Sequence, residues 1–438
     1  MEKQKRTLVL LGVGSTFFTR AIVESLASGG KEWDVRMVDI DEECLDIAVN
    51  LGKRMVALYE APVTITGSTD RLDVLSGADA VVCVIGVGGR KAWEKDVILP
   101  RQFNIHQSTG DTYGAGGVSR SLRMLPPIVE IARDMERLCP GALLINFSNP
   151  MGTCCRAVSK TTSIKVIGLC SGVRYFHHRL CKLAGVPDHE VFCKAIGVNH
   201  FTWITELIHE GKNILPRVRG KMEKEELREG GPFTWELFQT FDAFPCVGDG
   251  HICEFVPGWQ GKGAYYGETF GLGKKSFEEY AAHWDKVFDD MKEQAYGRAP
   301  VTRRTEDPEQ DTFRDEDLFA EVLSAAFGEG EIIRTVNLPN NGQAANILPG
   351  GTLEGTTFIH GGGILPLAFG DLPPGITAIM QRILTIQELT VEAALKGDRK
   401  LVLQALLGGN TVQTLAEAKK LTNCLLESHR DYLPLFFN

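Results

Sequence analysis

Short apolar segments alternate with helical patterns along the first part of this 438-residue chain. The segment "TLVLLGVGS" is rich in Leu and Val, ends in glycines, and is followed by apolar residues at helical spacing, Phe18, Ile22, Val23 and Leu26. Similar segments are "WDVRMVDID", "PVTITGSTD", "ADAVVCVIGVGG", "GALLINFSN" and "IKVIGLCSG". Strands that are apolar almost throughout and separated by helices are typical of a parallel sheet covered on both faces. The sequence therefore predicts an α/β fold for this part of the chain.

The pattern changes after "VPDH", near residue 187. The segment "VFCKAIGVNHFTWITELIHEGKNILP" predicts paired antiparallel strands around Asn199 and His200, and "TVNLPNNGQAANILPGGTLE" predicts further strand and turn. Charged helices, a solvated loop from Arg303 to Asp317 and C-terminal helices complete the prediction. Because one core rarely serves a chain of this length, we expect two domains, residues 1–188 and an α+β domain of residues 189–438.

Composition excludes several classes of protein. The net charge is -9 with no basic run, so nucleic-acid binding has no electrostatic support. The apolar runs are shorter than the roughly 20 residues that cross a bilayer, and the N-terminus lacks the pattern of a signal peptide. Eleven scattered cysteines favour a reducing compartment, and we expect a cytoplasmic protein without disulfides.

The turn after the first strand indicates a nucleotide site. Gly12, Gly14 and Ser15 lie between a predicted strand and a predicted helix, where glycines allow a pyrophosphate close to the backbone. Phe17 occupies the position of the third glycine in the usual motif, and Asp39 ends the second strand. A carboxylate there would bind ribose hydroxyls and favour NAD over NADP. The segment "VIGVGG" supplies a second glycine-rich edge, and the alternative is a tight turn with a surface Asp.

Polar residues follow three predicted strands: Asn146 and Asn149, Cys170, and Asn199 with His200. Ligands in open α/β sheets bind outside the carboxyl ends of strands, so we expect these residues at one edge of the sheet. Thiolate and imidazole together suit a divalent transition metal such as Mn, Zn, Co or Ni. The alternative is that a single Cys and a single His belong to the core.

A second polar segment is "CVGDGHICEF". Cys246, His251 and Cys253 would form a metal site with a spacing that matches no known zinc pattern, so Asp249 and His251 fit general acid/base groups better. The remaining alternative is a polar turn.

Together these segments resemble glycoside hydrolase family 4, the NAD- and divalent-metal-dependent glycosidases. The resemblance runs nearly end to end, through "GVGS", "GDTYGAGGVSRSLR", "NFSNPMG", "GLCSGV", "GVNHFTWIT", "GDGHICEF" and "VNLPNNGQ", and is strongest to the α-galacturonidase-like members. It implies a Rossmann-type domain followed by an α+β domain, in a lactate/malate dehydrogenase-like architecture. It also implies NAD, a divalent metal (Mn above all), and a homodimer or homotetramer.

The resemblance implies a redox-elimination reaction, which makes the family an exception among glycosidases. NAD removes hydride from C3 of the sugar, a base takes the acidified C2 proton, and the metal stabilises the charge on O2 and O3. The glycosidic oxygen then leaves, water adds, and the hydride returns.

By position, Cys170 and His200 match the metal ligands of the family, and Asn149 matches a substrate-binding residue with Asn199 beside the metal. The "GDxH" segment implies Asp249 and His251 as acid/base groups. Asp111 and Arg123 fall in a motif that resembles substrate contacts. A uronate carboxylate would need a basic partner, and the candidates are Arg90, Arg120 and Arg174.

Two positions depart from the family pattern. Ser171 follows Cys170 where relatives carry His, Asn or Asp, which disfavours a 6-phosphosugar and also weakens the assignment to a galacturonide. Phe241 stands where the nearest branch has Tyr, and elsewhere in the family a Tyr is the C2 base. Since Phe cannot take a proton, Asp249 or a metal-bound water would have to do so.

The resemblance therefore implies a glycosidase for a non-phosphorylated small-molecule glycoside, such as an α-galacturonide. An NAD-dependent sugar or 2-hydroxy-acid dehydrogenase is the first alternative, and it would consume NAD stoichiometrically. A sugar-sensing binder without catalysis is the second, and Ser171 and Phe241 keep it open.

Overall fold

The computed structural model describes residues 5–16, 18–224, 229–256, 277–303, 315–409, 412 and 414–437. The strands are β1 (Arg6–Leu11), β2 (Trp33–Val38), β3 (Val63–Ser68), β4 (Ala80–Cys83), β5 (Leu143–Asn146), β6 (Val166–Gly168), β7 (Phe192–Val198), β8 (Phe201–His209), β9 (Lys212–Asn213), β10 (Phe244–Cys246), β11 (Glu331–Pro339), β12 (Thr352–His360) and β13 (Gly363–Pro366). The helices are α1 (Phe18–Ser28), α2 (Glu42–Tyr59), α3 (Gly89–Ile98), α4 (Gly114–Leu138), α5 (Met151–Thr161), α6 (Gly172–Ala184), α7 (Leu215–Lys224), α8 (Pro232–Phe241), α9 (Asp249–Ile252), α10 (Phe277–Ala295), α11 (Asp315–Ala326), α12 (Pro374–Lys396), α13 (Arg399–Gly408) and α14 (Leu415–Ser428).

The first six strands form the predicted parallel sheet, in the order β3-β2-β1-β4-β5-β6. This is the doubly wound order of dinucleotide-binding domains. Alternate residues of β1 enter different cores, Leu8 and Leu10 on one face and Val9 and Leu11 on the other. Burial on both faces explains why the strand is apolar at successive positions, and the predicted fold class is confirmed.

Local sequence explains individual elements as well. Helix α2 begins after Asp41, whose carboxylate accepts a hydrogen bond from the backbone N–H of Cys44 at 2.9 Å. Glu42 and Glu43 lie in its first turn, where their negative charges interact favourably with the positive end of the helix dipole. The predicted loop from Arg303 to Asp317 lies mostly outside the described residues, and its last three residues form the start of α11.

The second part of the chain extends the same sheet. The antiparallel strands β11 and β12 lie between β6 and β7, and β8 and β10 follow β7. The predicted hairpin around Asn199 and His200 is confirmed as the β7–β8 pair, in which Val198 faces Phe201. One apolar cluster includes Val9, Ile196 and Leu426, so sheet and core both continue past residue 188. The division at that residue stays a prediction.

All eleven cysteines lie in the described residues, and none of them forms a disulfide there. Among the described residues, no helix combines the length and the apolar character needed to cross a bilayer.

Candidate functional site

The predicted cofactor residues meet at the end of β1. Gly12 has a φ of +89°, and a Cβ there would lie 2.8 Å from the Cα of Ile85, which only glycine allows. The Asp39 carboxylate accepts hydrogen bonds from the N–H groups of Gly14 at 2.7 Å and Asp41 at 3.0 Å. Ser15 Oγ accepts a bond from the N–H of Phe18, at the start of α1, at 3.2 Å. Phe17 lies outside the described residues.

The segment "GDTYGAGG" folds back on the start of α4 because its glycines permit close backbone contact. A Cβ on Gly116 would lie 2.5 Å from the carbonyl oxygen of Gly110, and a Cβ on Gly117 would lie 2.4 Å from the carbonyl carbon of Thr112. Asp111 is therefore held above the first turn of this helix. Its carboxylate accepts a hydrogen bond from Nδ2 of Asn149 at 2.8 Å, which joins two residues predicted to contact the substrate.

Asp111, His200 and His251 form a cluster that can hold a metal ion. The ligand atoms of these three side chains all lie within 4.8 Å of one another. The two imidazole rings lie 4.1 Å apart between centroids, and Thr112 Oγ1 lies 2.9 Å from Nδ1 of His200. Each ligand comes from a different element: the segment before α4, the β7–β8 turn and α9. The structure thus brings together residues 140 positions apart in the chain.

The protonation states of the cluster suit metal binding. Burial lowers the pKa of both His200 and His251 below the ordinary value of histidine. Burial alone would raise the pKa of Asp111, but the nearby His200, His251 and Arg120 hold it below the ordinary value of a carboxyl group. Neutral imidazoles and an ionised carboxylate are the forms that coordinate a cation.

Several buried polar atoms around the cluster find no hydrogen-bond partner among the described residues. These atoms are Nδ2 and Oδ1 of Asn199, Oδ1 of Asn149 and Nδ1 of His251. Asn199 is fully buried, and a buried amide without partners is costly unless a bound group satisfies it. Together with one carboxylate and two imidazoles, these atoms fit a divalent transition metal and a polar ligand.

Cys170 follows β6 as predicted and is partly exposed, but it is not a member of the three-residue cluster. A Cβ on Gly172 would lie 3.6 Å from its sulfur and would collide with Val247. The turn that carries Cys170 therefore packs against the segment that leads to His251. Its role as a metal ligand stays a prediction.

The expectation that three strand ends meet at one edge was wrong for β7. Two strands separate β7 from β6, and every step between them is antiparallel, so β7 runs opposite to β6. His200 reaches Asp111 through the β7–β8 turn and not through a shared carboxyl edge. The cause is that β11, β12 and β7 are each added to the sheet antiparallel to the strand before, which the sequence pattern does not reveal.

Asp249 and Arg123 have partners of their own. The Asp249 carboxylate accepts hydrogen bonds from the N–H of Phe233 at 3.0 Å and of Thr234 at 2.6 Å, and from Thr234 Oγ1 at 2.7 Å, at the start of α8. Arg123, which was predicted to contact substrate, pairs with Asp96 at 2.8 and 2.5 Å, because a cation that is 1% exposed needs a counter-ion.

The structure separates the three candidate arginines. Arg90 pairs with Asp285, and Arg174 donates to Glu321 at 2.9 Å. Arg120 donates from Nε to the carbonyl oxygen of Asn149 at 3.1 Å and is close enough to Asp111 to lower its pKa. Arg120 is therefore the one of the three that adjoins the cluster.

Sequence reasoning missed the role of Glu254, although it lies in the quoted "GDGHICEF" segment. Its buried carboxylate accepts hydrogen bonds from the N–H groups of Thr109 at 2.6 Å and Gly110 at 2.9 Å. It connects the segment of His251 to the segment of Asp111. A Glu within an apolar run was the available signal, but its partners lie about 145 residues away.

Comparison with known proteins identifies the family. A model described as family 4 glycosyl hydrolase matches residues 7–186, and a model of the C-terminal domain of that family matches residues 195–412. An alpha-galacturonidase from Bacillus subtilis (strain 168) is similar, with 29% identity over 96% of this chain and 96% of that protein. The crystal structure of LplD from Bacillus subtilis has a TM-score of 0.87 at 27% identity, over 96% of this chain and 100% of that one.

Two more distant structures share the fold. A 6-phospho-alpha-glucosidase from gut microorganisms, in complex with NAD and Mn²⁺, has a TM-score of 0.84 at 18% identity, over 98% of this chain and 99% of that one. Malate dehydrogenase from Plasmodium falciparum has a TM-score of 0.52 at 12% identity, over 89% of this chain and 98% of that one, which agrees with the predicted architecture. Since family models match both parts of its length, this chain belongs to the family 4 glycosyl hydrolases and is a glycoside hydrolase.

Proposed function

We propose that this glycoside hydrolase depends on NAD and a divalent metal, and that it hydrolyses a non-phosphorylated glycoside, with an α-galacturonide as the leading substrate. The observation that carries the proposal is the cluster of Asp111, His200 and His251 beside the unpartnered amide of Asn199. Mn²⁺ is the metal of choice, since carboxylate and imidazole ligands suit it. The alpha-galacturonidase relative favours a uronide, and Ser171 disfavours a 6-phosphosugar.

When bound, NAD would accept a hydride from C3 of the sugar, and the metal would stabilise negative charge on O2 and O3. Of the three residues in the cluster, Asp111 and His200 would hold the metal, with Cys170 as a predicted further ligand, and His251 would be left for proton transfer. Asn149 is oriented by Asp111 through the hydrogen bond at 2.8 Å. Its Oδ1, which has no partner among the described residues, can therefore accept a hydrogen bond from a sugar hydroxyl. Asn199 can donate to and accept from the substrate, since both of its polar atoms lack partners among the described residues.

His251 fits proton transfer at the sugar better than Asp249 does. Its imidazole is kept neutral by burial, and its Nδ1 has no partner among the described residues. Both oxygens of Asp249 already accept bonds from α8, whereas Phe241 packs against Trp203 with ring centroids 5.0 Å apart and offers no base. A homodimer or homotetramer and a cytoplasmic location remain predictions.

A panel of nitrophenyl glycosides and uronides, with trace NAD, Mn²⁺ and a thiol reductant, tests the proposal. We expect nitrophenol release from a uronide without net NADH. Accumulation of NADH in proportion to substrate would instead establish a dehydrogenase.

The matched variants are Asp111→Asn and the exposed control Asp289→Asn. We expect Asp111→Asn to lose at least about 100-fold in kcat/KM, or about 2.7 kcal/mol, and to retain NAD binding. Asp289→Asn should behave as the wild type. Equal activity of the two variants would refute the role of the cluster.

A further inference from the structure

The second glycine-rich loop, residues 84–89, lies against the first. The backbone N–H of Val84 donates to the carbonyl oxygen of Leu11 at 2.9 Å, and the Cα of Ile85 faces the missing side chain of Gly12. Any dinucleotide that approaches Gly12 therefore meets residues of both loops. A dinucleotide site at Gly12 thus requires the second loop to keep this conformation.

A buried ion pair holds the second loop from the side of α4. Arg123 donates from Nε to the carbonyl oxygen of Val87 at 3.0 Å, while its two terminal nitrogens pair with Asp96. Asp96 also accepts a hydrogen bond from Ser119 Oγ at 2.7 Å. The side chains of Arg123 and Asp96 are 1% and 0% exposed, so the guanidinium has little freedom to move.

The end of the chain contacts the same loop and the same ion pair. We define the C-terminal turn as residues 428–432. Nε2 of His429, whose side chain is fully buried, lies 3.0 Å from Oδ1 of Asp96, a close contact that lacks hydrogen-bond geometry. The ring of Tyr432 covers Gly88, where a Cβ would lie 3.0 Å from Cε2 of that ring. Lys95 Nζ donates to the carbonyl oxygen of Ser428 at 2.9 Å.

We propose that the C-terminal turn is a positioning element for NAD, in which Tyr432 and His429 fix the second glycine-rich loop. Tyr432 acts on Gly88 by direct contact, and His429 packs against Asp96, the ion-pair partner of the Arg123 that holds Val87. The proposal rests on NAD being the cofactor of this chain. It assigns a task in cofactor binding to a segment more than 300 residues away from that loop in sequence.

Substitution of Tyr432 tests the proposal, because its ring is 41% exposed and its loss leaves no large cavity. We expect Tyr432→Ala to weaken NAD binding about tenfold, or about 1.4 kcal/mol, as measured by titration calorimetry. Binding of Mn²⁺ should stay within about twofold of the wild type. Tyr432→Phe keeps the ring over Gly88 and should bind NAD as the wild type does.

Leu435→Ala is the matched control, since Leu435 is 47% exposed, follows the C-terminal turn by three residues and lies against Gly397. An equal loss of NAD affinity in this control would overturn the proposal, as would unchanged binding in Tyr432→Ala. Amide hydrogen exchange gives a readout that does not need NAD. Relative to the wild type, Tyr432→Ala should increase the exchange rate at residues 84–89 more than at residues 107–113. If the wild type binds no NAD while this exchange difference is seen, the proposed function fails and the contact between turn and loop stands. An equal change in exchange rate at both segments would overturn the proposed contact between Tyr432 and the loop.

Discussion

Glu254 is a buried carboxylate whose hydrogen bonds join two segments of the site. Its Oε1 accepts bonds from the N–H groups of Thr109 and Gly110, next to Asp111, and Glu254 itself lies three residues after His251. Burial raises the pKa of this carboxyl group to about 7. Glu254 therefore helps to set the distance between Asp111 and His251, although it is not a member of the metal cluster.

We predict different outcomes for two substitutions of Glu254. Glu254→Gln keeps an acceptor at the position of Oε1, so Mn²⁺ affinity should stay within about threefold of the wild type. Glu254→Ala leaves two buried N–H groups without an acceptor, which should cost about 1–3 kcal/mol of unfolding free energy. It should also weaken Mn²⁺ binding about tenfold. Calorimetric titration and urea unfolding measure the two effects, and equal Mn²⁺ affinities for the two variants would contradict this account.

Arg120 is the expected partner of a uronate carboxylate. Among the described residues its hydrogen bond is made by Nε to Asn149, which leaves the terminal nitrogens for a bidentate contact. We predict that Arg120→Gln lowers kcat/KM for a nitrophenyl galacturonide about 100-fold, or about 2.7 kcal/mol, and for the neutral galactoside far less.

Arg174→Gln is the matched control for Arg120→Gln, because the Arg174 guanidinium donates to Glu321. A similar loss of kcat/KM with both sugars in Arg120→Gln would show that Arg120 does not bind the uronate carboxylate.

At the scale of elements, α8 illustrates how a predicted catalytic residue can serve a helix. The residue before α8 gives its first turn no side-chain cap, and the Asp249 carboxylate, which lies after the helix in sequence, accepts hydrogen bonds from the N–H groups of Phe233 and Thr234. We predict that Asp249→Asn, whose single Oδ1 can still accept the bonds from Thr234 but not the bond from Phe233, retains activity within about tenfold. Asp249→Ala should lose about 1–2 kcal/mol of unfolding free energy. A loss of 100-fold or more in a stable Asp249→Asn variant would restore the acid/base role.

Local pattern determined most elements, and distant pairing did not show in the sequence. The strand β1 and the helix α2 were predictable because their apolar spacing and capping residues are local properties. The place of β11 and β12 between β6 and β7 was not predictable, since it depends on pairs such as Asn337 with Gly168. The same limit hid Glu254, whereas motifs identified Asp111, His200 and His251 before their contacts were visible.

At the scale of the molecule, both parts of the chain share one sheet and contribute to the same large apolar cluster. The apolar cluster that contains Val9 also contains Ile196, Met380 and Leu426. We therefore predict that heat unfolding gives a single calorimetric transition whose van't Hoff and calorimetric enthalpies agree.

A fragment of residues 1–188 tests the same point. It would leave the edge of β6 unpaired and the apolar cluster open, so it should aggregate or stay partly unfolded. Two separate transitions in the whole chain, or a stable monomeric fragment, would contradict this prediction.

The insertion of β11 and β12 between β6 and β7 has a consequence for biosynthesis. Strands β7 and β8 emerge from the ribosome well before residues 331–360. In the meantime the nascent chain carries two incomplete sheet edges, at β6 and at β7. At about 5–20 residues per second, that interval lasts on the order of ten to thirty seconds. During it, His200 and Asp111 have emerged, but the strands that join their supports have not. Chaperone demand in living cells should therefore peak late in translation of this chain, and slower elongation after residue 200 would prolong the exposed state.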